Sequence, residues 1–241
     1  MQLFYNKAIH KEQPFFTFDK AESRHIVRVL RKKEGDLIHI TNGKKDLITS
    51  KIIDANDKRC QVEIVSVKTY KNPFDYYLHI AIAPTKNIQR LEWFLEKATE
   101  IGVSEITPIL CERSERKTIK QERLEKVLIA AMKQSLKFEL PKLNELISLN
   151  EFFKQNQQKN KYIAHCVKEE KSSLKHHLEM ICGVNKNIEV LIVIGPEGDF
   201  SPKEISLALQ NDFEPVSLGK SRLRTETAGL VAVHSVAYQC E

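Results

Sequence analysis

No run of about 18 or more apolar residues occurs in the 241-residue chain, so no segment reads as a membrane-spanning helix. Neither G-x-x-x-x-G-K-[ST] nor G-x-G-x-x-G is present. Their absence excludes a P-loop triphosphate site and a Rossmann dinucleotide fingerprint. H-E-x-x-H is absent too, and His176-His177 sits in a polar segment that is not read as a metal site. The five cysteines, Cys60, Cys111, Cys166, Cys182 and Cys240, form no C-x-x-C. Their odd number and scatter fit a reducing cytoplasm rather than a disulfide framework, and argue against structural zinc. The start, MQLFYNKAIHKEQPFF, has no long apolar core and no small-residue cleavage site, so it is not read as a secretory leader. No internal repeat is found.

What is present is the composition of a globular protein with a core: 41% apolar and 29% charged residues. The net charge of +6 is unevenly placed. Residues 1–72 carry 15 Lys and Arg against 9 Asp and Glu, a balance of +6, whereas residues 73–241 carry 23 against 23. A basic N-terminal third beside a neutral remainder points to one segment that meets a polyanion and another with a different task. An ordinary solvated basic face fits the same numbers.

The two parts also differ in rhythm. In residues 1–72, Asp36–Thr41, Asp46–Ala55 and Cys60–Tyr70 alternate apolar and polar residues and are rich in β-branched types, with Asn42-Gly43 and Asn56-Asp57 as turns. One helix, KAESRHIVRVLRKKEGD, interrupts them. Ile26, Val27, Val29 and Leu30 share a face, and Gly35 is expected to end it. Strands around one helix predict a small barrel, followed by a linker at 71–77 containing Asn72-Pro73. Strands are then expected at 76–83, 105–110, 161–167, 190–195 and 214–219, and helices at 88–103, 121–136, 201–209 and 225–239. Gly102 is expected to close the first of these helices. Ser201, Pro202 and Glu204 spell a capped helix start. Residues 153–161 read as a solvated connection. This alternation predicts an α/β domain with a mostly parallel sheet, whose ligands bind beyond the strands' carboxyl ends.

Three loops follow predicted strands: His165-Cys166, Gly195–Phe200 and Leu218–Thr225. If the strands are neighbours, the loops converge. Gly195 and Gly198 would let the backbone approach a ligand, Pro196 would stiffen the turn, and Glu197 is the one strongly charged side chain of that tetrapeptide. Arg222 and Arg224 precede a helix for which Thr225 and Thr227 are available as caps, a setting that attracts anions. An ordinary capped helix with snorkelling arginines also fits. The residues alone imply an adenosine-sized ligand without a long phosphate tail.

The chain resembles the RsmE family of small-subunit ribosomal RNA uridine methyltransferases, within the SPOUT superfamily of knotted enzymes. The resemblance rests on HIVRVLR (25–31), RLEWFLEKATEIGV (90–103), ERS (112–114), QS (134–135), YIAHC (162–166), IGPEG (194–198) and LRTETA (223–228). Each motif is short, and their order and spacing are specific. The resemblance implies a PUA-like β-barrel over residues 1–72 and a SPOUT α/β domain with a trefoil knot over residues 73–241. It implies S-adenosyl-L-methionine as cofactor, 16S rRNA of the small ribosomal subunit as substrate, N3 of one uridine as acceptor, a cytoplasmic homodimer, and no metal or membrane partner.

By the same resemblance, His165, Gly195, Pro196, Glu197, Gly198, Leu218, Gly219, Leu223, Arg224 and Thr225 wall the cofactor pocket. Methylation at a ring nitrogen needs the N3 proton removed and the resulting anion stabilised. Arg224 and then Arg222 are the candidate cations, and Glu226 or Glu197 the candidate proton acceptor. Because N3 lies on the pairing edge, the target must be unpaired or flipped out. Arg24, Arg28, Arg31, Lys32 and Lys33 are candidate RNA contacts, with Lys86, Arg90, Arg113 and Arg116 as further ones on the second domain. Asp199, Ser221-Arg222, Lys133 and Lys137 depart from the commonest family pattern. The competing readings are another SPOUT methyltransferase acting on ribose 2′-OH or tRNA, and a non-catalytic ribosome-assembly RNA-binding factor.

Overall fold

Period-2 alternation in the first third produces strands, each burying one face. In a computed structural model of the chain, the structure describes residues 1–71, 74–156, 158–167, 170–182 and 187–240, and the Asn72-Pro73 pair of the expected linker lies outside them. Strands β1 (Leu3–Tyr5), β2 (Phe15–Thr17), β3 (Leu37–Thr41), β4 (Asp46–Asp54) and β5 (Gln61–Thr69) form one sheet in the order β1-β3-β4-β5-β2. β1 joins β3 in parallel and the other pairs are antiparallel. This half-barrel closes on a core that includes Phe4, Phe18, Ile26, Ile40 and Ile48.

The basic helix differs from its expected form. Helix α1 covers Lys20–Arg24 and starts at Asp19, whose side chain accepts the Glu22 N–H at 2.8 Å. The following turn, His25–Val29, is a π-helix, in which the Leu30 N–H reaches back to the His25 carbonyl at 2.9 Å. This wider turn rotates Val29 off the apolar face, so Val29 is 66% exposed while Ile26 is fully buried. The helix ends before Arg31, at φ 54°, and Gly35, at φ 91°, serves the later turn into β3 instead.

Residues 74–131 and 141–241 make a second unit, and residues 132–140 cluster with the first. That segment packs its Phe138 ring on Tyr70, with centroids 4.6 Å apart, and sets Lys133 Nζ 5.9 Å over the Phe4 ring. Burial lowers the pKa of Lys137. Lys133 and Lys137 thus belong to the first unit's own packing, a grouping that chain order did not suggest.

The second unit alternates β6 (Tyr76–Ile82), α2 (Ile88–Ile101), β7 (Glu105–Leu110), α3 (Gln121–Gln134), β8 (Lys142–Leu143), β9 (Ile147–Ser148), α4 (Leu149–Gln155) and β10 (Asn160–Ala164). It continues with β11 (Ser172–Ser173), α5 (Leu174–Ile181), β12 (Ile188–Ile194), α6 (Pro202–Gln210), β13 (Glu214–Ser217) and α7 (Thr225–Gln239). The main sheet runs β11-β13-β10-β12-β6-β7-β8, and its recorded pairs are parallel. β12 is buried from Val190 to Ile194, as its unbroken apolar run requires between two covered faces. Gly102, at φ 137°, ends α2, and the Ser201–Glu204 capping box with Pro202 at the first helical position starts α6. α7 packs on α2, α5, β6 and β12.

Two helices were not anticipated. α4 begins ahead of the stretch read as a connection and buries Phe152 and Phe153. α5 carries His177, whose Nδ1 lies 3.1 Å from Glu214. Cys182, after α5, and Cys240, after α7, come within disulfide reach, with Cα atoms 5.0 Å apart. They are 58 residues apart in sequence, and only the packing of α5 on α7 brings them together. Among the described residues no helix is long and apolar enough to cross a membrane.

Candidate functional site

The parallel strands β12 and β13 flank β10, so the loops leaving the carboxyl ends of the three meet at one end of the sheet. Hydrogen bonds tie them together. The Cys166 N–H donates to Asp199 Oδ2 at 2.9 Å, and the Thr225 hydroxyl donates to the Gly195 carbonyl at 3.1 Å. Lys171 Nζ donates to the carbonyls of His165 and Val167. The loops surround a cavity of about 560 Å³ whose walls include His165, Asp199, Leu218, Gly219, Arg222 and Leu223. Its size lies in the range of small-molecule sites, about 300–1,000 Å³.

The glycines divide into two kinds. Gly219 has φ 129° and open space where a Cβ would stand, so both backbone conformation and access to the cavity favour glycine. Gly195 is different. A Cβ there would lie 2.9 Å from the Phe200 ring, so packing against that ring by itself requires glycine. Gly198 likewise faces Arg113, whose Nη1 donates to its carbonyl at 3.0 Å and to that of Phe200 at 3.3 Å. Gly195–Gly198 is therefore a braced support behind the cavity, with Pro196 buried within it. Asp199 adopts φ 60°, a left-handed conformation that Asp tolerates and that glycine favours.

A second cavity, of about 620 Å³, adjoins the first through the shared Arg222 and Leu223. Arg90 and Trp93 from α2, Arg224, and Glu226 from the first turn of α7 complete its main walls. Glu226 is 7% exposed. Its Oε1 lies 3.7 Å from Arg90 Nε, and its Oε2 is buried with no hydrogen-bond partner among the described residues. The caps expected of Thr225 and Thr227 are not used. Arg224 occupies the N-cap position, where a guanidinium has no acceptor to make a capping bond, and the Thr225 hydroxyl donates to Gly195 instead. The N-terminal end of α7 thus stays open beside two arginines.

The structure brings Arg222, Arg224 and Glu226 together and leaves Glu197 apart. The Glu197 carboxylate accepts the Lys86 N–H at 3.0 Å, and the residue walls neither cavity. Lys86 Nζ pairs with Glu115 at 2.7 Å, which raises its pKa through a hydrogen bond and charge. Arg116 donates to the carbonyls of Thr85 and Lys86. Arg113 and Arg116 are thus engaged in bracing loops, and Arg90 faces Glu226. In the first unit Arg24, Arg28, Arg31 and Lys33 are exposed and Lys32 is half-buried, while Arg28 pairs with Asp57 at 2.8 Å. Sequence reading passed over Trp93, Asn87 and Lys171. Trp93 and Asn87 lie in or just before the RLEWFLEKATEIGV helix, whose amphipathic pattern gives no sign of a cavity wall.

A family profile described as "RNA methyltransferase domain" matches residues 72–237, and one described as "RNA methyltransferase PUA domain" matches residues 18–65. The "Ribosomal RNA small subunit methyltransferase E" of Buchnera aphidicola subsp. Acyrthosiphon pisum is 31% identical over 227 residues, covering 90% of this chain and 86% of that protein. The crystal structure of a probable rRNA-methyltransferase from Porphyromonas gingivalis superposes with a TM-score of 0.88 at 40% identity, over 99% of each chain. A ribosomal RNA small subunit methyltransferase E from Neisseria gonorrhoeae, solved bound to S-adenosyl methionine, superposes with a TM-score of 0.80 at 26% identity, over 97% of this chain and 95% of that one.

Proposed function

The chain belongs to the ribosomal RNA small subunit methyltransferase E family, and on that premise we propose that it methylates N3 of a uridine in 16S rRNA of the small ribosomal subunit, using S-adenosyl-L-methionine. The observation that carries this reading is the pair of cavities that share Arg222 and Leu223 in their walls. One suits a donor and the other an acceptor, and transfer needs the two reacting atoms in line and close.

The loop cavity fits the donor. Gly219 leaves open space at its wall, Asp199 offers a carboxylate, and Lys171, Lys220 and Arg222 offer cations. That set matches a ligand carrying both positive centres and a carboxylate. His165, Leu218, Gly219 and Leu223 hold it, while Gly195–Gly198 and Thr225 fix the loops that form the wall. Bound S-adenosylmethionine supplies a methyl group on a sulfonium, which departs as a neutral thioether. Glu226 takes the N3 proton: it lines the acceptor cavity, is largely buried, and one of its oxygens has no hydrogen-bond partner among the described residues. Arg224 and Arg222, with the open end of α7, stabilise the negative charge shared by the two uracil carbonyl oxygens.

Residues 1–72 serve as the PUA-like RNA-binding domain and residues 73–241 as the SPOUT catalytic domain. The return of α7 onto β6, β12 and α2 after β13, which lies between β11 and β10, supports a knotted path. Self-association through α7 is supported by Tyr238, 75% exposed and stacked on His234 with ring centroids 5.9 Å apart. Action in the cytoplasm follows from the ribosomal substrate. The decisive experiment incubates unmodified small subunits with methyl-labelled cofactor and maps the modified nucleotide. A label at uridine N3 is expected, and a label on ribose or on no RNA at all would refute the reading.

A further inference from the structure

Trp93 is the only tryptophan in the chain, yet it is 42% exposed. It stands on α2 one turn beyond Arg90. Its helix neighbours Leu91, Phe94 and Leu95 are buried, so the apolar face of α2 is complete without it. The indole instead lines the cavity that holds Arg222, Arg224 and Glu226.

We propose that Trp93 is the stacking platform for the acceptor base. This deepens the function proposed above and rests on it. A pyrimidine drawn out of an RNA strand loses its stacking neighbours, and an aromatic face inside the receiving pocket replaces them. Stacking holds a base by its face and leaves its edge free. In this cavity the edge then meets the wall that Glu226 forms, while Arg90 Nε, 3.7 Å from Oε1, restrains the carboxylate, and a small rotation of the carboxylate brings an oxygen to the N3–H. The indole contributes affinity and orientation and takes no part in proton or methyl transfer.

The test uses the full-length protein and unmodified small ribosomal subunits. Trp93→Ala raises KM about tenfold with a smaller change in kcat, Trp93→Phe restores most of the loss, and calorimetric affinity for S-adenosylmethionine stays the same. Because there is one tryptophan, its fluorescence reports the contact directly. An RNA hairpin with one unpaired uridine quenches it, and the same hairpin made abasic at that position does not. If the Ala variant fails to fold, the Phe variant and the quenching decide. An unchanged KM in a folded Ala variant, or equal or absent quenching by the two hairpins, overturns the proposal. So does an Ala variant whose only defect is a shift from dimer to monomer in light scattering. Failure of the wild-type protein to methylate uridine N3 would instead strike at the parent reading.

Discussion

The Thr225 hydroxyl donates a 3.1 Å hydrogen bond to the Gly195 carbonyl, 30 residues away in sequence. This bond joins the start of α7 to the turn after β12, and both groups are buried. Thr225→Val keeps the shape and removes the donor, leaving a buried carbonyl unpaired. A loss of about 1–3 kcal/mol in urea unfolding is expected, with weaker cofactor binding by calorimetry. Thr225→Ser should stay close to wild type, and equal losses in both variants would show that the bond is not the cause.

Gly195 and Gly219 should respond differently to alanine. At Gly195 the new Cβ meets the Phe200 ring at 2.9 Å, and overpacking of this kind costs about 1–3 kcal/mol. Pairing Gly195→Ala with Phe200→Leu should recover part of that loss. At Gly219 nothing lies within 4 Å, so only the strain of φ 129° is incurred, about 1–3 kcal/mol, and no second-site change near Phe200 helps. Denaturation curves for the single and double variants separate the two causes.

Glu226→Gln retains size and polarity and removes the proposed proton acceptor. Single-turnover methyl transfer at saturating cofactor should fall about a hundredfold to ten-thousandfold. Arg224→Ala should lower it about a hundredfold to a thousandfold. Cofactor affinity should change little in Glu226→Gln, because Glu226 lines the acceptor cavity and not the other. A Gln variant with wild-type turnover removes Glu226 from the proposed chemistry.

A pH effect on stability arises at residues that line neither cavity. Burial lowers the pKa of His79 from 6.5 to about 4, an effect partly offset by Glu105 and reinforced by Lys142. As pH falls through that window, the unfolded chain takes up a proton that the folded chain refuses. Stability that is complete above pH 6.5 is thus lost toward pH 4, by on the order of 3 kcal/mol. Burial alone would raise the pKa of Glu105, but hydrogen bonds from Tyr77, Asn144 and Lys142, with the charge of His79, bring it from 4.5 to about 2. Its contribution is present above pH 4.5 and disappears as pH falls toward 2. Urea midpoints measured across pH should show a flatter upper phase in His79→Gln, and an unaltered slope would contradict the assignment.

The basic turn should act through charge. Replacing Arg24, Arg31 and Lys33 by Gln should weaken RNA binding and lower the salt slope by roughly two to three, with cofactor affinity unchanged. Arg28→Gln should have less effect, because Asp57 already pairs with that guanidinium. Filter-binding titrations at several salt concentrations give the slopes.

Several elements were readable because their cause is local. The Ser201–Glu204 capping box, the Gly102 stop, the unbroken apolar run of β12 and the span of α7 each depend on residues within a few positions of one another. The basic helix misled for the opposite reason. Its α-helical spacing was correct on paper, and a π turn at His25–Val29 moved Val29 outward. α4 was hidden because its two buried phenylalanines stand among Lys, Gln and Asn.

The sequence by itself determined the two-part chain, the α/β alternation, the basic first third and the three loops able to meet at one rim, because periodicity, capping and charge act over short stretches of chain. Only the tertiary structure decided that Glu226 faces a cavity while Glu197 turns toward Lys86, that Gly195 yields its space to Phe200, that Trp93 stands beside the arginines, and that Cys182 meets Cys240. Each of these depends on which strands and helices lie side by side, and long-range packing is not written into the spacing of neighbouring residues.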